Sequence, residues 1–78
     1  MKNNQKPQFA LCLDNDGYSA SLEVGKLYPI IPDKEAKAHE YLRIVDESGE
    51  DYAFTANRFH IVELPDAVGE VLLATSQP

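Results

Sequence analysis

A chain of 78 residues has room for one hydrophobic core, and its 44% apolar and 26% charged residues are too apolar a mixture for an intrinsically disordered protein. Seven Lys and Arg against thirteen Asp and Glu leave a net charge of -6, with the cations scattered; the basic cluster that displaces counterions from phosphates is missing, which argues against a nucleic-acid partner. Cys12 is the sole cysteine, which excludes a disulfide-stapled secreted mini-protein, and neither a signal peptide nor a membrane span is legible, so a cytoplasmic protein is expected.

Residues 1–8 are polar, contain Pro7 and show no periodicity; they read as a disordered tail. Phe9 to Leu13 is a short apolar run ended by Asp14-Asn15-Asp16-Gly17, a strand followed by a turn. From Asp14 to Gly25 the chain is rich in Asp, Ser and Gly and predicts a long folded-back loop anchored by Tyr18 and Leu22. Lys26 to Ile31 is the second strand, and Pro29, which donates no backbone hydrogen bond, places it at a sheet edge. Pro32 to Glu40 carries charge without an apolar stripe and reads as a solvated loop.

Tyr41 to Asp46 alternates as a half-buried strand with Leu42 and Ile44 inward. Glu47-Ser48-Gly49-Glu50 supplies a hairpin turn, with Gly49 free to take a positive φ, and Asp51 to Thr55 returns as the partner strand. Ala56-Asn57-Arg58 fits one tight turn before a last strand, Phe59 to Leu64, stopped by Pro65. In the extension 66–78, Asp66 can cap a short helix that puts Val68, Val71 and Leu72 on one face, weakened by Gly69 and followed by a tail.

These runs, Leu22 to Ile30, Tyr41 to Tyr52 and Arg58 to Glu63, resemble small SH3-like proteins of bacteria and their phages over about residues 9–65. The resemblance implies an all-β domain: a small five-stranded SH3-like barrel with one 3-10 turn before the last strand and a short C-terminal extension. Its interior would be shared by Leu42, Ile44, Phe54, Phe59 and Ile61. It implies a fold more than an activity, because this barrel hosts many unrelated functions. Tyr41 stands where a peptide-binding SH3 domain has its signature Trp, the chain has no Trp, and no Pro precedes the last tight turn; the aromatic groove for a polyproline helix is not expected.

Chemistry is hard to place on these residues. Asp14-Asn15-Asp16-Gly17 starts like a calcium loop, but positions six and twelve hold Ser19 and Gly25 where an EF-hand needs Gly and Glu. His39 and His60 are far apart in sequence and form no ligand pattern with Cys12, which alternates with Leu11 and Leu13 as a small apolar strand residue. No nucleophile motif or phosphate loop occurs, and a small barrel filled by its own side chains has little room for a substrate pocket. The expectation is a non-enzymatic protein-interaction module with no cofactor, metal or catalytic residue. It would hold a protein partner at an exposed strand edge or beside the first long loop, through Tyr18, Glu23, Tyr41 and Tyr52, with Asp14 and Asp16 as steering charges. The alternative is a structural protein that forms a homodimer through Val68, Val71 and Leu72; otherwise the chain is monomeric.

Overall fold

The computed structural model describes residues 8–75. Among them are five strands, β1 (Gln8–Cys12), β2 (Leu27–Ile31), β3 (Tyr41–Val45), β4 (Asp51–Thr55) and β5 (Phe59–Glu63), and two helices, α1 (Lys34–Ala38) and α2 (Asp66–Thr75). A single 3-10 turn, Ala56–Arg58, joins β4 to β5. The strands make one five-stranded antiparallel sheet in the order β4-β3-β2-β1-β5. β1 begins at Gln8, inside the expected tail, and ends before Leu13, which is exposed; residues 1–7 and 76–78 of the expected tails lie outside the described residues.

Pro29 does not mark an edge, because β2 is the central strand. β2 changes partner along its length: Leu27, Tyr28 and Pro29 lie opposite β1, and Ile30 and Ile31 lie opposite β3. A proline removes one ladder hydrogen bond. Here the loss falls at the changeover, since pairing with β3 begins only at the next residue.

Directly opposed residues of an antiparallel pair share a face, and the register therefore assembles the interior. Ala10 lies opposite Tyr28, Cys12 opposite Phe59, Ile30 opposite Ile44, and Leu42 opposite Phe54. Ala10, Cys12, Leu22, Tyr28, Ile44, Phe54 and Phe59 form the buried cluster, with Ile30 and Leu42 packed against it. Ile61 shares this face, opposite Ala10, yet it is 47% exposed and is not part of the sealed interior expected for it. The reason is its position: it lies on the edge strand β5 and lines an open groove.

The segment 32–40 is not a plain loop. Asp33 caps α1, its Oδ1 accepting the Ala36 N–H at 3.0 Å, while its Oδ2 accepts from Arg43 Nε at 2.8 Å. No residue of α1 is buried, so the helix rests on its cap and on the tether to β3 rather than on an apolar stripe. Glu40, with φ of 64°, ends it. In α2, Asp66 is the first helical residue rather than the cap; its charge favours the helix N-terminus from there. Val68 and Val71 are exposed, and the helix packs only marginally on the rest of the molecule.

Candidate functional site

The two ends of the sheet differ. At one end, the long loop 13–26 folds over the interior and drops Leu22 into it, leaving that side chain 1% exposed. Gly25, at φ of 88°, lets the chain turn sharply so that its N–H reaches the Cys12 carbonyl at 2.8 Å. The loop is tied to the β3–β4 hairpin by a polar knot: the Tyr28 hydroxyl accepts the Glu23 N–H at 2.8 Å and donates to Glu47 Oε2 at 2.6 Å. Lys26 Nζ meets the same oxygen at 2.6 Å, and the Glu47 N–H donates to the Ser21 carbonyl. Lys26 and the Tyr28 hydroxyl hold the Glu47 carboxyl below its usual range, and burial, with Glu47 beside it, pushes the Tyr28 phenol well above its own. The hairpin turns through Gly49, at φ of 85°, with the Gly49 N–H donating to the Asp46 carbonyl. The buried Asp46 carboxylate accepts from the Ser48 N–H and hydroxyl.

Three of the expected binding residues gather on the outside of this loop. Tyr18, 44% exposed, meets Phe54 edge to face at 5.1 Å between centroids, and the Arg58 guanidinium lies 4.7 Å above its ring. Arg58 also donates to the Asp14 carbonyl and lies 3.8 Å from its carboxylate, while Asp14 Oδ1 accepts the Asp16 N–H. The steering charge of Asp14 is therefore partly spent on its own chain. Glu23 sits beyond, with its N–H on Tyr28. Tyr52 is on β4 beside the hairpin, its hydroxyl donating to Glu50 Oε1 at 2.9 Å; that carboxylate pushes the Tyr52 phenol up. Cys12 is buried, which raises its thiol and suppresses the thiolate.

Tyr41 is separated from all of these. It lines a groove of about 1250 Å³ at the opposite end of the sheet, to which no residue of the 13–26 loop contributes. The expected filled interior holds for the buried cluster but not for this end. Ile30, Leu42 and Ile61 line it from the core face of the sheet, and Ile31 and Pro32 line it where β2 leads into α1. Lys34 and Lys37 stand on the α1 side; Asp66 and Glu70 stand on the α2 side, beyond β5. The remaining charged pair on the α1 side, Arg43 and Asp33, is satisfied internally: Arg43 bridges Asp33 and Asp51, which keeps the Asp33 carboxyl low and the guanidinium high.

Of the six expected binding residues, the structure brings Asp14, Asp16 and Tyr18 together and leaves Glu23, Tyr41 and Tyr52 apart. The groove is not legible in the sequence because Ile61 reads as core, and Leu42, which does pack against the buried cluster, also lines the groove. A clue was available in the charges of 33–40, which decorate the connection beside two consecutive isoleucines. No protein-family model matches the chain, and neither a curated protein nor a solved structure matches it. The described residues define a small, strand-rich domain with one five-stranded antiparallel sheet, and none of their helices is long and apolar enough to cross a membrane.

Proposed function

We propose that the chain is an SH3-like barrel of the bacterial and phage kind that acts in the cytoplasm as a non-enzymatic protein-interaction module, and that it holds its partner in the groove beside Tyr41. The strand order, the partner change within β2 and the 3-10 turn before the last strand support the barrel reading. One observation carries the functional reading: Ile61, which belongs by register to the core face, lies open to water at 47% exposure in a groove that Ile31, 36% exposed and on the other face of β2, also lines. Apolar surface of this kind, rimmed by charge, is the usual mark of a binding site. The groove is open to solvent rather than an enclosed cavity, which suits holding a partner. The loop cluster of Tyr18, Asp14 and Asp16, with Glu23 beyond it, and Tyr52 on the hairpin are secondary surfaces in this reading.

Replacing Tyr41, Tyr18 or Tyr52 one at a time with a photo-cross-linking phenylalanine derivative in the native cell tests it. A discrete adduct of one partner mass is expected from position 41, removed by Ile61→Asp in the same chain. Adducts from position 18 or 52 alone, or none from any position, would sink the reading.

A further inference from the structure

We infer that β5 is a docking edge: an extended segment of a partner protein adds to it as an antiparallel strand, with a basic residue opposite Glu63 and an aliphatic one opposite Ile61. This rests on the groove being the binding surface, since Ile61 lines it. β5 is an end strand of the sheet, paired with β1 alone. Hydrogen bonds just beyond the ladder fix which of its backbone groups turn outward. The Leu13 N–H donates to the Arg58 carbonyl at 2.8 Å, while Cys12 bonds away from β5, its N–H to the Lys26 carbonyl and its carbonyl to the Gly25 N–H. In an antiparallel pair, bonded and unbonded registers alternate. Leu11 with His60 and Phe9 with Val62 are therefore the bonded pairs, and Cys12 with Phe59, Ala10 with Ile61 and Gln8 with Glu63 the unbonded ones. Phe59, Ile61 and Glu63 thus turn their N–H and C=O groups to the free edge. The Phe59 N–H is taken by the Ala56 carbonyl; among the described residues, no bond from another element meets those of Ile61 and Glu63. Helix α2 starts beyond the strand and packs only marginally, so it leaves Ile61 open.

The edge selects its occupant. Strand addition supplies backbone hydrogen bonds, and the side chains on alternate positions supply specificity. A residue opposite Ile61 shares its face, so its side chain enters the groove beside Ile30, Leu42 and Ile61, which line it from the core face. An aliphatic group there would cover Ile61, 47% exposed. The position opposite Glu63 lies two residues away on the same face. Glu63 accepts from the neutral Gln8 amide at 3.2 Å, and among the described residues none of Glu63, Asp66 and Glu70 forms an ion pair. A Lys or Arg suits that end, so an antiparallel segment reads basic, any residue, aliphatic from its N-terminus. A second copy of β5 is the poorer occupant: centred on Ile61, it would set Glu63 opposite Phe59 and bring together two chains of charge -6. The other edge, β4, is the poorer ladder. The Ala56 N–H on the Glu40 carbonyl and the Asp46 N–H on the Glu50 carbonyl turn Asp51, Ala53 and Thr55 outward by the same alternation. Their side chains lie on the face away from the core, and Asp51 is held by Arg43.

The test uses a short Ser/Thr peptide carrying one Lys and, two residues later, one Val, together with a counterpart that has Glu for Lys and another N-methylated at the Val. Amide exchange followed by NMR on the full chain at low salt is expected to slow at Ile61 and Glu63 when the Lys peptide is added, and to stay unchanged at Ala53 and Thr55. N-methylation removes the backbone donor facing Ile61 and keeps the side chain; it should weaken binding about tenfold. The Glu peptide should bind about threefold more weakly than the Lys peptide, a margin that shrinks at high salt. In E63K, changed at an exposed position, the preference for Lys should be lost. Three results overturn the inference: the N-methylated peptide binding as tightly as its parent, amide protection appearing on β4 instead of β5, or the chain alone sedimenting as a dimer that Ile61→Asp abolishes. If no peptide binds while position 41 still captures a partner in cells, the strand inference fails and the interaction reading stands; if both fail, both are wrong.

Discussion

The loop end and the groove end of this sheet are built from the same five strands, yet one is sealed and the other is open. At the loop end, Leu22 fills the interior and a shared carboxylate oxygen on Glu47 ties Tyr28 and Lys26 to the hairpin. At the groove end, the connecting helix α1 has no buried residue, and Ile31 and Ile61 stay in water. A strand pattern decides which face a side chain takes. Whether that face is dry depends on what the connections carry: 13–26 brings a leucine, and 32–40 brings lysines.

The sharpest way to break this contrast is to delete the same aliphatic volume at both ends. Ile44→Ala should cost about 2–5 kcal/mol in urea unfolding, the range for truncating a fully buried isoleucine, whereas Ile61→Ala should cost about 1 kcal/mol, in keeping with its half-burial. Equal losses would erase the distinction. Next in size is Tyr28→Phe, which removes a hydroxyl with two partners and should cost about 1–2 kcal/mol, with Glu47→Gln measured beside it to apportion the knot.

Titration sharpens the same comparison. The Tyr28 phenol is raised in the folded state, so its contribution is present below the unfolded tyrosine value of about 10 and is lost as pH climbs above it. Tyr28→Phe should therefore flatten the alkaline limb of stability. Glu47 is lowered, so its contribution is present above the unfolded value of about 4.3 and is lost as pH falls through its depressed folded value. Glu47→Gln should flatten the acid limb in the same unfolding series. Asp33 is lowered too, by Arg43 and by the Ala36 N–H. Its protonation should release only the exposed helix α1, visible as faster amide exchange at Ala36 with the global midpoint unmoved, the smallest of these effects.

Much of the sheet was legible in the residues. Alternation through Tyr41 to Val45 fixed which side Leu42 and Ile44 take, Gly49 marked the reversal, and Ala56-Asn57-Arg58 could hold only one turn. Pro29 misled because a proline removes one donor and says nothing about which ladder that donor would have served; a strand that switches partners can accommodate it in the middle of a sheet. The segment 32–40 misled because α1 depends on Asp33 reaching Arg43, ten residues away and on another element, which local periodicity does not record. Ile61 was given the right face and the wrong environment. Of the tyrosines expected at a binding surface, Tyr41 lines the groove, Tyr18 is engaged with Arg58 and Phe54, and Tyr52 with Glu50.

The chain's four isoleucines sample both ends of the sheet, and their methyl groups provide the most direct measurement. In methyl-labelled protein titrated with a small soluble nitroxide, the Ile61 and Ile31 signals should be bleached first, Ile30 later, and Ile44, with no exposed surface, last. Equal protection of Ile61, Ile31 and Ile44 would mean that the groove end is as closed as the loop end, and the account would fail.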